Sequence, residues 1–217
     1  MRKALAVFVT GVSLVTFCTS IGVCAQKLDQ PKAWEVGDKA TYKWVMNNKA
    51  QDLEEELISI TDTDYIAVQR AGGKTFEVVV SKEGLLLRKV MCHPNGQQCS
   101  FDPPANFIGL PLEKGRKWTL SFTVKGETFT SQVTQERVVE KVEKIKVPAG
   151  EFEAFRVYFS GRIKGTDSQG RSFSGKEDGT DWFALVPGGK LNVIKTVYRN
   201  SFGEKFTREL TSVAYKQ

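Results

Sequence analysis

Apolar and polar residues alternate along much of the chain, and the clearest case is the segment 144–159. Apolar side chains occupy every second position before Pro148-Ala149-Gly150 and again from Phe155 to Phe159. A period of two is typical of half-buried strands, whereas proline followed by glycine ends a strand and favours a turn. We therefore expect two strands that meet at Gly150, with Gly150 in a conformation costly for other residues and Phe152 or Phe155 buried.

The same period recurs in short runs separated by turn residues, from Ala40-x-Tyr42-x-Trp44 to a final hairpin at 191–215. The run 127–147 is long and its apolar positions change parity, which indicates a bulge or two strands. Residues 135–146 also fit a helical period, but their valine content favours a strand. No segment after residue 25 has the pattern of a long amphipathic helix. The sequence therefore predicts an all-β, mainly antiparallel fold, in which a strongly curved sheet forms a half-barrel or a closed barrel.

Two stretches lack this alternation. Residues 92–111 are rich in proline and glycine and are predicted to form a long irregular loop. The segment 164–179 is polar and carries four glycines, and its part from Gly165 to Gly179 is predicted to be a mobile rim or lid. In addition, residues 112–120 resemble residues 34–42, because each has a turn glycine followed by an alternating strand. This similarity indicates two related halves of the sheet.

The first 25 residues have the pattern of a secretory signal peptide. Arg2 and Lys3 precede an apolar run, and Val23-Cys24-Ala25 fits a small-x-small cleavage site. The apolar run is short for a membrane span, and no stop-transfer pattern follows it. Lipid attachment at Cys24 is the alternative, but Val23 is bulky where a lipoprotein signal has a small residue. We therefore expect residues 26–217 to form one β-rich periplasmic domain, without a membrane span after cleavage.

The distribution of charge excludes one class of partner. The 217 residues carry a formal net charge of +6, to which Arg2 and Lys3 contribute two charges. The remaining lysines and arginines are spread among acidic residues and form no basic stripe. This arrangement is typical of a solvated surface and argues against nucleic-acid binding.

Only two of the four cysteines, Cys92 and Cys99, lie beyond the predicted signal peptide. They flank a short turn that contains Asn95-Gly96, a strong tight-turn signal. In an exported chain such a pair should oxidise to a disulfide. A redox-active pair is disfavoured because the spacing is not Cys-x-x-Cys, and a metal site because only His93 could join the two thiols.

The sequence gives little support for catalysis. The single histidine, His93, lies within the predicted cysteine turn, so neither a second histidine nor His-x-x-x-His spacing is available for a triad or a zinc site. Glu177, Asp178 and Asp181 could form a carboxylate pair or bind calcium, but their spacing does not match a calcium loop. Phosphate-loop and dinucleotide fingerprints are missing. We therefore predict a non-enzymatic protein, with no catalytic residue, cofactor or metal.

The segment 147–157, V-P-A-G-E-F-E-A-F-R-V, resembles the V-P-A-G-x-F-x-A-x-x-V signature of a family of uncharacterised bacterial periplasmic domains. Other markers of that family resemble the segments 37–42, 111–118 and 181–183. The resemblance extends from about Trp34 to Tyr215 and implies a curved antiparallel sheet, similar to the half-barrel of periplasmic lipoprotein carriers. The family has no agreed catalytic residues, and its signature does not include the cysteine pair.

Aromatic residues are abundant, with 14 Phe, 4 Trp and 5 Tyr. They can fill a core, or they can line a cavity for an apolar ligand. A single sheet with no helix to cover it must close on itself, bind a ligand or recruit a partner. The candidate lining residues are Trp44, Trp118, Phe159, Trp182 and Tyr198. The expected function is an exported binding or carrier module for an apolar small molecule or lipid. The alternative is an assembly factor that contacts an envelope protein.

Overall fold

The computed structural model describes residues 27–93 and 97–215. The predicted signal peptide at residues 1–25 and the Asn95-Gly96 turn lie outside the described residues. The described part contains fourteen strands and no helix. The strands are β1 (Lys27–Leu28), β2 (Lys39–Met46), β3 (Lys49–Ile60), β4 (Asp64–Ala71), β5 (Lys74–Ser81), β6 (Leu87–His93), β7 (Gln97–Ala105), β8 (Leu112–Glu113), β9 (Lys117–Lys125), β10 (Phe129–Val147), β11 (Gly150–Asp167), β12 (Ser172–Val186), β13 (Lys190–Asn200) and β14 (Lys205–Ala214).

Twelve of these strands form a closed antiparallel barrel, which confirms the predicted fold class. The strands follow one another around the barrel in chain order, from β2 to β7 and then from β9 to β14. The ring closes where β14 pairs with β2 along most of its length. Closure removes the exposed edges that an open sheet would leave, so all twelve strands are paired on both sides.

The predicted repeat corresponds to two six-stranded halves of this ring, β2–β7 and β9–β14. The first strand of each half follows a glycine turn with positive φ, at Gly37 (94°) and at Gly115 (86°). The two similar segments therefore occupy the same position in each half.

Alternation along β2 places four side chains in the core, as the sequence pattern predicts. Ala40, Tyr42, Trp44 and Met46 are all at most 9% exposed. On β3, Leu53 and Leu57 are also buried, whereas a register shift follows between Leu57 and Ser59. Ile58, at the shift, and Ile60, beyond it, are 46% and 38% exposed, so neither faces the core as the apolar pattern would predict.

The segment that also fitted a helix is part of a single strand. β10 is 19 residues long and pairs with β11 from Phe129 to Val147. A register shift between Val139 and Lys141 marks the expected bulge, since Glu140 has no cross-strand partner there. The change of parity among the apolar residues of 127–147 is therefore explained by a bulge within one strand.

The turn between β10 and β11 has the predicted geometry. Gly150 has φ of 137°, a conformation that side chains rarely adopt. Phe155 is 6% exposed, which confirms its predicted burial. The N–H of Ala149 donates to the carbonyl of Leu210 at 3.2 Å, so this turn also contacts β14.

The prediction of a mobile rim at 165–179 is wrong. β11 continues to Asp167 and β12 begins at Ser172, and the two strands pair across this region. Glycine is used there because aromatic rings lie directly on the backbone: a Cβ at Gly165 would lie 2.6 Å from Phe173, and one at Gly179 would lie 2.4 Å from Phe159. These glycines allow close packing within strands, a role that composition cannot distinguish from loop flexibility.

Part of the predicted irregular stretch is also a strand, because β7 extends from Gln97 to Ala105. Its first residues lie against β6, and the disulfide between Cys92 and Cys99 joins the two strands with a Cα–Cα distance of 5.6 Å. The predicted disulfide is thus confirmed. Among the described residues of this region, irregular backbone is found at 106–111 and in the turn that precedes β9.

Residues 27–38 and 106–116 cover one end of the barrel, and β1 pairs with β8 where they meet. The indole N–H of Trp34 donates to the carbonyl of Leu191 at 3.2 Å. The ammonium of Lys190, a residue only 1% exposed, lies 2.9 and 2.8 Å from the two carboxylate oxygens of Asp38. This paired charge fixes the covering segment to the turn before β13.

Candidate binding cavity

The barrel contains a partly open cavity of about 420 Å³ that is lined by side chains from both halves. This volume lies within the roughly 300–1,000 Å³ that is typical of small-molecule sites. Most of the lining is aliphatic or aromatic, and it includes Leu53, Val78, Met91, Phe122, Val133 and Phe183. These residues project inward because each lies at an inward position of an alternating strand.

Three of the five predicted lining residues, Trp44, Phe159 and Tyr198, border this cavity. Phe159 and Tyr198 are stacked with their ring centroids 6.4 Å apart, and Tyr198 is stacked on Phe206 at 4.9 Å. Phe206 in turn contacts Trp44 edge-to-face at 5.6 Å. Together these four rings form a continuous aromatic row across strands β11, β13, β14 and β2.

Trp182 lies outside the cavity lining. A register shift falls between Trp182 and Phe183, and the flanking residues Asp181 and Phe183 both border the cavity. Trp182 therefore takes the opposite face, where its indole N–H donates to Glu143 at 2.9 Å. Arg156 lies 5.7 Å from the centroid of its ring. The Trp182 ring therefore packs against charged side chains outside the cavity.

Trp118 also lies outside the lining, for a different reason. It shares the inward face of β9 with Phe122, but residues 106–111 cover it. Its indole N–H donates to the carbonyl of Asn106 at 3.0 Å, and a Cβ at Gly109 would lie 2.4 Å from its ring. Trp118 therefore fills the covered end of the barrel.

A polar network occupies the part of the cavity wall formed by β10, β12 and β13. Gln135 donates to Glu177 at 2.6 Å and accepts from Arg137 at 3.0 Å. Arg137 also forms an ion pair with Asp181. The hydroxyl of Thr196 donates to the second oxygen of Asp181 at 2.7 Å. These contacts provide partners for charged groups that would otherwise be costly to bury.

The network continues from Glu177 towards the turn between β13 and β14. Tyr198 donates to Glu177 at 3.1 Å, and Asn200 donates to the Tyr198 oxygen at 3.2 Å. Asn200 also donates to Glu204 at 2.6 Å. The hydroxyl of Tyr198 thus connects the aromatic row to the polar network.

Burial shifts the ionisation of this network. The pKa of Glu177 is raised by burial, an effect that hydrogen bonds from Gln135 and Tyr198 and the charge of Arg137 partly oppose. Burial lowers the pKa of Arg137, while the neighbouring Asp181 acts in the opposite direction. The ring of Phe159 lies 4.6 Å from the Arg137 guanidinium and adds a cation–π contact.

The acidic residues 177, 178 and 181 do not form one site. Glu177 and Asp181 border the cavity, whereas Asp178 points outward and accepts from Arg199 at 2.9 Å. Alternation along β12 explains this division. Among residues 27–93 and 97–215, no group of three or more His, Cys, Asp or Glu is arranged to hold a metal ion.

Three polar residues that border the cavity, Gln135, Arg137 and Arg208, are not among those predicted from the sequence. Their inward parity was a usable signal, since Gln135 and Arg137 continue the positions of the buried Val133, and Arg208 lies two residues from Phe206. Polar residues at inward positions of a strand indicate either a buried network or a binding site. The sequence alone does not say which residues of other strands they meet.

No family model matches the sequence, and no curated protein matches it. Solved structures do match. A proposed lipoprotein from Parabacteroides distasonis has a TM-score of 0.50 at 10% identity, over 85% of this chain and 97% of that chain. A proposed exported protein with YmcC-like fold from Bacteroides fragilis gives a TM-score of 0.44 at 11% identity, over 85% and 98% of the two chains. The hypothetical lipoprotein YmcC from Escherichia coli gives 0.44 at 9% identity, over 82% and 85%.

The match to the Parabacteroides protein shows a shared fold and no more, because so low an identity carries no information on function. The family with the V-P-A-G-x-F signature remains a resemblance, since no family model supports it. In the part of the chain that the structure describes, no helix has the length and apolarity needed to cross a membrane.

Proposed function

We propose that the protein is an exported, non-enzymatic binding or carrier protein of the bacterial envelope, which holds an apolar small molecule inside its barrel. The observation that carries this proposal is the cavity of about 420 Å³, with a mainly apolar lining and a few polar groups in fixed positions. Such a combination is typical of ligand sites. The signal-like pattern of residues 1–25 and the names of the structural neighbours support export.

The physical basis of binding would be the removal of apolar ligand surface from water. Each Å² buried contributes about 25 cal/mol, before the costs of association are subtracted. The cavity walls belong to paired strands and are therefore preformed, which limits the ordering cost on binding. The polar network would then orient the ligand.

The alternative, an assembly factor that binds another protein through sheet edges, receives less support. Strand addition requires an edge with unpaired backbone groups. All twelve barrel strands have a neighbour on both sides, so none of them is a free edge strand. The shortest pairings in the barrel are those of β5 with β6, over two residue pairs, and of β7 with β9, over three. An assembly factor could still bind its partner through the turns, but no specific feature of the described turns favours such binding.

Native mass spectrometry of the protein isolated from its own cells tests the proposal directly, because a bound small molecule adds its mass to the barrel.

A titration with a fluorescent fatty-acid probe then uses a matched pair of variants on β13. Val193 lines the cavity, whereas Val197 is 38% exposed. Val193→Trp should fill the cavity and weaken probe binding about tenfold or more, and Val197→Trp should leave it unchanged. Absence of binding by the unmodified protein, or equal binding by both variants, would contradict the proposal.

A further inference from the structure

One row of cross-strand neighbours, two of which line the cavity, has donors without acceptors. Arg208 on β14 is the cross-strand partner of Trp44 on β2, and Trp44 is the partner of Gln51 on β3. Each side chain has a buried N–H group with no hydrogen-bond partner: Nε of Arg208, Nε1 of Trp44 and Nε2 of Gln51. Arg208 and Trp44 both line the cavity, and Trp44 is only 7% exposed.

Arg208 is an unusual charged residue, because it lines the cavity without an ionic or hydrogen-bonding partner in the described part of the chain. Within residues 27–93 and 97–215 its guanidinium forms neither an ion pair nor a hydrogen bond, and its Nε is buried. Its contact is with the ring of Tyr42, whose centroid lies 5.1 Å away. Buried donors without acceptors are costly, and native structures rarely retain them without a reason.

The carboxylates that line the cavity are occupied elsewhere. Glu55 accepts from Gln69 at 2.7 Å, and Glu204 accepts from Asn200 at 2.6 Å. Glu177 and Asp181 belong to the network around Arg137. The cavity therefore has an excess of donors at Arg208 and Trp44, and this excess calls for an acceptor from the ligand.

We infer that the ligand is an amphipathic monocarboxylate, whose carboxylate binds Arg208 and Trp44 and whose apolar body lies in the cavity. This inference rests on the proposed function. Guanidinium groups bind carboxylates with two parallel hydrogen bonds, and the charge-assisted bonds are stronger than neutral ones. A head group with two negative charges would be less well tolerated, because four carboxylate side chains line the same cavity.

The surroundings of Arg208 suit the apolar body. Phe206 lies two residues away on the same strand and continues into the aromatic row with Tyr198 and Phe159. Leu53, the cross-strand neighbour of Tyr42, is 1% exposed and also lines the cavity. An acyl chain leaving the carboxylate would thus contact aromatic and aliphatic surface.

The test compares three probes with the same chain: dodecanoate, dodecanol and dodecylamine. Binding is measured by calorimetry below the micelle-forming concentration and by intrinsic tryptophan fluorescence, to which Trp34 and Trp44 at the cavity contribute. Dodecanoate should bind roughly ten- to a hundredfold more tightly than dodecanol, the range given by a charge-assisted hydrogen bond, and dodecylamine should bind most weakly. Equal binding of the acid and the alcohol would overturn the inference and leave the proposed function intact. Absence of binding by all three would overturn both.

Variants test whether Arg208 causes the preference for dodecanoate over dodecanol. Arg208→Met should reduce the affinity for dodecanoate to that for dodecanol, without changing the affinity for dodecanol. Arg199→Met is the matched control, because Arg199 is 68% exposed and pairs with Asp178 on the outer face. Trp44→Phe removes one donor but keeps the aromatic surface, and it should weaken dodecanoate a few-fold. An unchanged preference for dodecanoate in folded Arg208→Met would refute the role of this residue.

Discussion

Arg137 and Arg208 both face the cavity, but their surroundings differ. The Arg137 side chain is 1% exposed, pairs with Asp181 and donates to Gln135, and three aromatic rings surround it. Arg208 is half-buried, and its cross-strand neighbours are Thr196 and Trp44, neither of which supplies it with a carboxylate. Among the described residues, the Nε group of each arginine is buried without a partner, but only Arg137 has an ion pair and a hydrogen bond through its other nitrogens. The comparison therefore separates a charge that is paired within the protein from one available to a ligand.

The largest expected difference is in stability. Arg137→Met leaves Asp181 buried without its cation and should lower the free energy of unfolding by about 3–5 kcal/mol. Arg208→Met breaks no pair, so its effect should stay within about 1 kcal/mol. Urea denaturation of both variants under the same conditions measures the contrast. Similar losses in the two variants would show that the arginines have similar structural roles.

Truncation of an aromatic neighbour should also cost more stability near Arg137 than near Arg208. Phe159 is 4% exposed and lies against both Arg137 and Gly179, so Phe159→Ala should cost about 3–5 kcal/mol. Phe206 is only partly buried, and Phe206→Ala should cost about 1–2 kcal/mol. Denaturant unfolding followed by circular dichroism compares them. A greater loss for Phe206→Ala would place the tighter packing near Arg208 instead.

The smallest expected effect is a change in pH dependence. Burial raises the pKa of Glu177 above its value in the unfolded chain. The folded state therefore holds a proton that the unfolded state releases, and stability falls as pH rises from the unfolded pKa to the raised one. Glu177→Gln removes this titration, so its stability relative to the unmodified protein should increase over that interval. Unfolding measured from about pH 4 to about pH 8 at constant ionic strength checks the trend, with Arg208→Met as control. A constant difference between Glu177→Gln and the unmodified protein would mean that Glu177 keeps its ordinary pKa.

The sequence predicted those features that depend on local pattern. The alternation in β2, the bulge in β10, the turn at Gly150 and the pairing of Cys92 with Cys99 are all visible in short segments. Closure of the sheet followed from the lack of any helix to cover it. The choice between half-barrel and full barrel required the pairing of β14 with β2, which no local pattern contains.

The candidate site was harder to predict, because its contacts are distant in sequence. Arg137 and Asp181 are 44 residues apart, and only the register of β10, β11 and β12 brings them together. Trp182 shows how sensitive the result is to register, since a shift of one residue exchanges the two faces of a strand. Gly179 shows a second limit: glycine next to polar residues is common in loops, but here a ring occupies the place of its side chain.

The closure of β14 onto β2 has a consequence for the way the polypeptide can be connected. Lys39 and Ala214 are cross-strand partners, so the first and last strands of the barrel are neighbours. A circular permutant could connect Tyr215 to Lys27 through an added linker and open at the turn of Asn47 and Asn48. These two residues have positive φ and lie at the other end of the barrel from the covering segment. All twelve strand pairings would survive, and residues 27–38 would become an internal linker. The hydrogen-bonded ring is thus independent of where the polypeptide is cut, whereas the cover over its end depends on an unbroken path from Lys27 to Lys39.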